Sequence, residues 1–139
     1  MKMLLALDPF GHSLKATEEA LRLVKLQACE LTIVVIAETF QDAEDSYVGM
    51  EGGKDALVPL VKQKAEEAEK IAMQEGITPK IVVKVGESPA EGILKCAEEE
   101  KAELIVMGHR ERKGLDRFLL GSVATKVVNN AHCSVLVVR

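Results

Sequence analysis

The sequence of 139 residues is long enough for one domain with a sizeable core, and we expect residues 1–139 to form a single domain. Hydrophobic residues make up 47% and charged residues 29%, a balance typical of a globular protein rather than a disordered or fibrous one. The net charge of −4 and the 3% of aromatic residues argue against nucleic acid as a partner, because phosphate backbones need a broad basic surface and single strands need aromatic stacking.

The N-terminal residues combine a cation with a short apolar run, as signal peptides do. The run meets Asp8 and Pro9 without a small-residue cleavage site, and no apolar stretch approaches the length that spans a bilayer. We therefore expect cytoplasmic localisation and no membrane partner. Cys29, Cys96 and Cys133 are isolated in the sequence, and we expect each to pack as a small apolar side chain.

Five short apolar runs, rich in β-branched residues, predict strands along the chain. Most of them lack polar alternation, which is typical of strands covered on both faces. In chain order they are MLLAL before Asp8, LTIVVIA over 31–37, KIVVKV from Lys80, LIVM from Leu104 and SVLVV from Ser134.

Segments of helical period separate these strands. Ser13 is placed to cap the first helix, Gly76 to end the second, and Ser88-Pro89-Ala90-Glu91 combines a capping box with proline in the first turn of the third. The fourth helix is predicted to begin near Gly121-Ser122. Apolar positions define the inward faces: Leu14, Ala20, Leu21, Val24 and Ala28 in the first helix, Leu57, Leu60, Val61, Ala65, Ala68, Ile71 and Ala72 in the second, Val127 and Val128 in the fourth.

Alternating strands and helices predict an α/β fold, with one open parallel sheet and helices on both of its faces. The acidic, glycine-containing segment from Glu38 to about Lys54 fits neither period and is predicted to cross one edge of the sheet as an excursion. Ligands of such sheets bind beyond the carboxyl ends of the strands, where the strand order reverses. Asp8 follows the first strand and Gly108 follows the fourth, and they face each other across one crevice if those two strands are neighbours.

The stretch GHRERKGLDRFLLGS, from Gly108 to Ser122, has the features of a phosphate-binding loop. Gly108, Gly114 and Gly121 allow backbone N–H groups to approach oxygen atoms closely. Ser122 adds a hydroxyl donor at a predicted helix N-terminus, where the helix dipole favours an anion.

The stretch MGHRERKGLDRFLLGSVATKVV, together with LLALD, HSLKA, VGESPAEGI and SVLVV, resembles the universal stress protein family and its nucleotide motif GxxG-x9-G[ST]. The resemblance covers nearly the whole chain and includes order and spacing. It implies strand order 3-2-1-4-5, ATP in some members, and homodimers paired through the last strand. It also implies that Asp8 contacts the nucleoside, that Ile36 lies against adenine, and that Gly108, Gly121, Ser122 and Val123 surround the phosphates.

The second motif glycine falls on Glu111, which is the one clear departure from the family pattern. If that position needs positive φ, a non-glycine residue costs about 1–2 kcal/mol. A carboxylate about 8 Å from a phosphate adds roughly 2 kcal/mol of repulsion, which a neighbouring cation such as Arg110 offsets. We therefore expect weaker or reshaped ATP binding rather than its abolition.

Several alternatives remain open from the sequence. The cations Arg110, Arg112, Lys113 and Arg117 can also form a solvated face paired with Glu111 and Asp116, and Asp8 can cap a helix or accept from loop amides. His109 is interpreted either as a phosphate donor or as an exposed loop residue without a role. The leading hypothesis is an ATP-binding regulatory dimer of the stress response, and the alternative is a nucleotide-free dimeric scaffold. We assign no catalytic or metal-ligating residue and expect at most slow ATP hydrolysis, because no Walker lysine motif is present.

Overall fold

The computed structural model describes residues 1–10, 14–37, 54–109 and 120–139. Within these ranges strands and helices alternate, as predicted, from the first run to the last. The strands are β1 (Lys2–Leu7), β2 (Glu30–Ala37), β3 (Lys80–Val85), β4 (Leu104–Gly108) and β5 (Ser134–Val138); the helices are α1 (Leu14–Leu26), α2 (Lys54–Gln74), α3 (Pro89–Glu99) and α4 (Ser122–Asn130).

The strands form one parallel sheet in the order β3-β2-β1-β4-β5, so the predicted fold class and strand order are confirmed. β1 lies at the centre, paired with β2 on one side and β4 on the other. The chain therefore builds one half of the sheet through β3 and then crosses β1 to build the other half. The point where the order reverses lies between β1 and β4.

Side chains of the central strands alternate between two buried layers. Leu5, Ile33 and Val106 pack with α1 and α2 on one face, whereas Leu4 and Val34 pack with α3 and α4 on the other. All five side chains are fully buried. Since burying one such side chain stabilises a fold by about 1.5–3 kcal/mol, this alternation explains why the strands read as continuous apolar runs.

The predicted end of α2 at Gly76 is confirmed. Gly76 has φ of +79°, which only glycine adopts without cost, and the Ile77 N–H donates to the Ala72 carbonyl at 3.0 Å. This backbone bond, which closes a Schellman-type end, satisfies a carbonyl of the last turn. The chain can then turn directly into β3.

The predicted start of α3 is confirmed, but its capping box is not. Ser88 is the N-cap residue, yet its side chain makes no capping hydrogen bond. Pro89 instead supplies a φ suited to the first turn, and Glu91 places a carboxylate in the favourable field of the helix N-terminus. The backbone Gly92 N–H donates to the Ser88 carbonyl at 2.8 Å.

Three predicted core positions are wrong. Leu14 and Val128 are 56% and 46% exposed, and Ala28 lies exposed beyond the end of α1. Each lies at or near a helix end, where the side chains no longer pack against the sheet. The buried face of α1 instead includes Thr17. Two other predictions, the cap at Ser13 and the excursion over 38–53, lie outside the described residues.

The cysteines pack among apolar side chains, as predicted. Cys96 is buried in α3, and Cys29 and Cys133 are half-buried against the two layers. Burial raises the pKa of the Cys96 thiol to about 11, so this cysteine stays neutral near pH 7. Among the helices that the structure describes, none is both long and apolar enough to cross a membrane.

Candidate functional site

The carboxyl edge of the sheet brings together the ends of β1 and β4. Ala6 pairs with Met107 in parallel register, so Leu7 lies beside Gly108, and Asp8 follows at the same edge. The two strands that the sequence left unplaced are therefore neighbours at the switch point. This is the position at which open parallel sheets bind ligands.

The Asp8 carboxylate is held by the turn that follows β1. Its Oδ1 atom accepts a hydrogen bond from the Phe10 backbone N–H at 2.8 Å. This is the loop-amide interaction that the sequence left open as an alternative, and it fixes the direction of the half-buried side chain. The nucleoside contact of Asp8 stays a prediction.

The N-terminus of α4 presents backbone donors to the same region of the fold. Gly121 is its N-cap residue, with φ −61° and ψ 159°, and no side chain caps the helix. A Cβ built on Gly121 would meet no atom of the described residues within 4 Å. Ser122 is exposed and Val123 is half-buried against the α3 and α4 layer. A helix start without a side-chain cap favours an anion.

His109 connects this edge to the last strand. Its backbone N–H donates to the Val138 carbonyl at 3.1 Å, while its side-chain Nδ1 atom is buried without a hydrogen-bond partner among the described residues. The interpretation of His109 as an exposed loop histidine is therefore wrong, since the residue is half-buried. A buried ring nitrogen without a partner is costly, so a ligand that bonds to it would stabilise the folded protein.

The end of β2 closes the other side of the switch point. The Ile36 side chain is only 4% exposed and packs in the layer of α3. Gly92 of α3 lies directly over it: a Cβ added there would stand 2.7 Å from Ile36 Cδ1 and 3.2 Å from Glu87 Oε2. Glu87 also pairs with Lys84 at 3.7 Å, and the Lys84 side chain is 15% exposed.

Comparison with known proteins decides the family. The sequence matches the Universal stress protein family over residues 1–139. The chain belongs to the universal stress protein family. It is 36% identical to universal stress protein MJ0531 of Methanocaldococcus jannaschii, over 99% of this chain and 81% of that protein. It is 35% identical to universal stress protein YxiE of Bacillus subtilis, over 99% of this chain and 98% of that protein.

The fold agrees with solved structures of this family. The structure of a universal stress protein from Archaeoglobus fulgidus matches with a TM-score of 0.79 and 24% identity, covering 100% of this chain and 98% of the other. A likeness at that identity concerns the architecture. That structure thus shares with this chain its overall architecture.

The middle of the family's glycine motif lies outside the described residues. Arg110, Glu111 and Gly114 belong to that part, as do the other cations of the loop. The structure brings together Asp8, Gly108 and the end of β2, and it gives α4 an uncapped start at Gly121. Sequence reasoning missed Gly92 and Lys84. The signal for Lys84 was a lysine inside an apolar strand, whereas nothing local marks Gly92 as a packing position.

The contact between Gly92 and Ile36 yields a test of this side of the site. Gly92→Ala gains up to about 1 kcal/mol of helix propensity, but the new Cβ must displace a buried Ile36, which costs about 1–3 kcal/mol. We expect a net loss of about 1 kcal/mol in the free energy of unfolding, measured in urea. Ile36→Val removes the clashing Cδ1, so the double variant should show a favourable coupling of about 1 kcal/mol. Additive effects would contradict the contact.

Proposed function

We propose that this chain binds an adenine nucleotide, ATP with or without Mg²⁺, at the carboxyl edge of its sheet. Asp8 contacts the nucleoside and Ile36 backs the base. Gly108 and Gly114 allow close backbone approach, Arg110 supplies a cation, and Gly121, Ser122 and Val123 hold phosphate. The observation that carries the proposal is the parallel pairing of β1 with β4, which brings Asp8 and Gly108 to the same edge of the sheet at the switch point.

Three further observations support this proposal. The start of α4 lacks a side-chain cap, and the buried His109 Nδ1 lacks a partner among the described residues. A family structure of the same fold has been solved in complex with dAMP; it is 24% identical to this chain and matches with a TM-score of 0.73. Another has been solved in complex with cAMP, with 19% identity and a TM-score of 0.64. These two ligands are therefore suitable probes beside ATP.

The wider function that we propose is regulatory. Residues 1–139 act as one domain that forms a cytoplasmic homodimer through β5 and takes part in a stress response through its nucleotide state. Nucleic acid and membranes are not among the proposed partners. Within the described ranges no three metal-ligating side chains cluster, so Mg²⁺ would enter with the nucleotide phosphates. The proposal includes at most slow ATP hydrolysis.

The direct test identifies the bound nucleotide and measures its affinity. Mass spectrometry of freshly purified protein is expected to release an adenine nucleotide, or calorimetry to give a submillimolar Kd for ATP. ATP, dAMP and cAMP are titrated separately, each with and without Mg²⁺. No retained nucleotide and no heat with any of the three would reject the nucleotide proposal.

Glu111 favours a second candidate function, a nucleotide-free dimeric scaffold. Under this alternative the parent does not bind ATP, and Glu111→Gly restores the motif and creates binding. Under the leading proposal, Glu111→Gly tightens existing ATP binding by about tenfold, since the backbone cost of roughly 1–2 kcal/mol disappears. Glu111→Gln is the matched control, because it removes the charge while keeping a non-glycine residue. Equal ATP affinity in parent and Glu111→Gly contradicts the scaffold alternative.

A further inference from the structure

A cavity lies at the amino edge of the sheet, opposite the candidate nucleotide site. Its volume is about 450 Å³, and it crosses the amino ends of β1, β2 and β3. Ligand sites of small molecules commonly have volumes of about 300–1,000 Å³. β1 has six residues, so the two edges are about 20 Å apart, and a molecule here does not touch one at the carboxyl edge.

Two ion pairs stand on the lining of this cavity. Lys2 Nζ lies 4.0 Å from Glu30 Oε2 where β1 and β2 begin, and Lys80 Nζ lies 2.6 Å from Glu100 Oε1. Three of these four side chains are more than half exposed, so they are available to a ligand. The lining thus offers two cations and two anions, and its formal charge from these groups is zero.

Thr32 gives the cavity a polar group at greater depth. The residue is 8% exposed and lines the cavity, so its hydroxyl is a polar group on the cavity wall. A hydroxyl can both donate and accept, so it can hydrogen-bond a polar group of a ligand in the cavity. Val24 and Ile77 supply apolar surface beside it.

We propose that this cavity binds a small zwitterion of dipeptide size that carries an apolar side chain. A ligand with one net charge would meet an equal number of like and opposite charges, whereas a zwitterion can place its carboxylate on a lysine and its ammonium on a glutamate. Glu30 and Thr32 are two positions apart on β2, about 7 Å along the strand. An extended dipeptide spans about the same length, while a free amino acid is shorter. This site is independent of the nucleotide proposal.

The test uses L-leucyl-L-leucine as the probe and the N-acetylated, C-amidated dipeptide as its uncharged control. Both are titrated into the full chain labelled with ¹⁵N, and backbone amide shifts are followed by NMR. The expected result is saturable shifts at Thr32, Ile77 and Thr78 with the free dipeptide, and at least tenfold weaker response to the blocked one. Equal responses to the two compounds, or no shifts at these amides at millimolar concentration, would overturn the proposal.

Two variants separate binding from stability. Thr32→Val keeps the shape and removes the hydroxyl, so dipeptide affinity should fall at least fivefold while the melting temperature of the empty chain changes little. Lys80→Met removes one cation of the lining and should weaken binding by a similar factor. Lys126→Met removes an exposed lysine of α4 and should leave the affinity unchanged. Unchanged affinity in Thr32→Val and Lys80→Met rejects the site.

Discussion

Ser122→Asp is expected to weaken ATP binding about 100-fold while raising the free energy of unfolding. Ser122 is exposed in the first turn of α4, where the proposed phosphates meet the uncapped helix start. A carboxylate about 5 Å from a phosphate charge, at an effective dielectric near 20, costs roughly 3 kcal/mol. The same carboxylate interacts favourably with the helix dipole and stabilises the fold by about 0.3–1 kcal/mol.

Ser122→Asp is expected to weaken ATP binding but to increase stability, so a general loss of folding cannot explain the result. Calorimetry measures the ATP affinity and urea unfolding measures the stability of the same preparation. Asn129→Asp is the matched control, because it adds the same charge to an exposed residue at the other end of α4. There the carboxylate should destabilise slightly and leave ATP binding within about twofold. If Ser122→Asp retains the parent affinity, phosphate does not bind at the start of α4.

Val137→Pro is expected to convert the proposed dimer into a monomer. The His109 N–H donates to the Val138 carbonyl, so Val138 directs its backbone groups toward β4. Because successive residues of a strand alternate, Val137 directs its N–H and carbonyl toward the open edge of β5. Proline at 137 removes an outward donor without removing a donor of the β4 ladder. Symmetry doubles the loss to about 2 kcal/mol, or roughly 30-fold in the dimer Kd.

The opposite edge of the sheet offers a control for this substitution. The Gly86 N–H donates to Ala37 on β2, so by the same alternation Val83 points its backbone groups outward from β3. Val83→Pro should therefore leave the dimer intact. Sedimentation of the parent and both variants at about 10 μM reads out the association state. A monomeric parent refutes the β5 dimer, and equal dissociation by Val83→Pro shows a non-specific effect.

Element types and strand boundaries followed from the sequence because both layers of the core are apolar. Most positions of the runs that predicted strands are buried or half-buried, so their hydrophobicity is nearly continuous; Val83, on edge strand β3, is an exception at 38% exposed. The strand order came from the family resemblance. Helix ends were predicted less well: periodicity continues through Leu14 and Val128 in the sequence, but a helix loses contact with the sheet at its ends.

The candidate site was predictable only in part, for a physical reason. Asp8, Gly108 and Gly121 carry local signals, namely a strand end and residue types that suit turns and helix starts. Gly92 carries none, because its importance depends on Ile36 in another element. The amino-edge cavity also has no motif. Its lining is assembled from strand starts and helix ends that are far apart in the chain, and Thr32 reads in sequence as an ordinary β-branched strand residue.

The charged residues that begin three strands also help to set the register between the strands. Lys2, Glu30 and Lys80 are exposed, and the next residue of each strand is buried or half-buried. The burial of apolar side chains on both faces does not by itself disfavour a register shift of one residue, since such a shift replaces one buried apolar residue with another. A slip that draws Lys2 or Glu30 inward would bury a charge, which costs several kcal/mol. These charged residues therefore favour the observed register, in which Lys2 pairs with Glu30 and Thr32 pairs with Lys80.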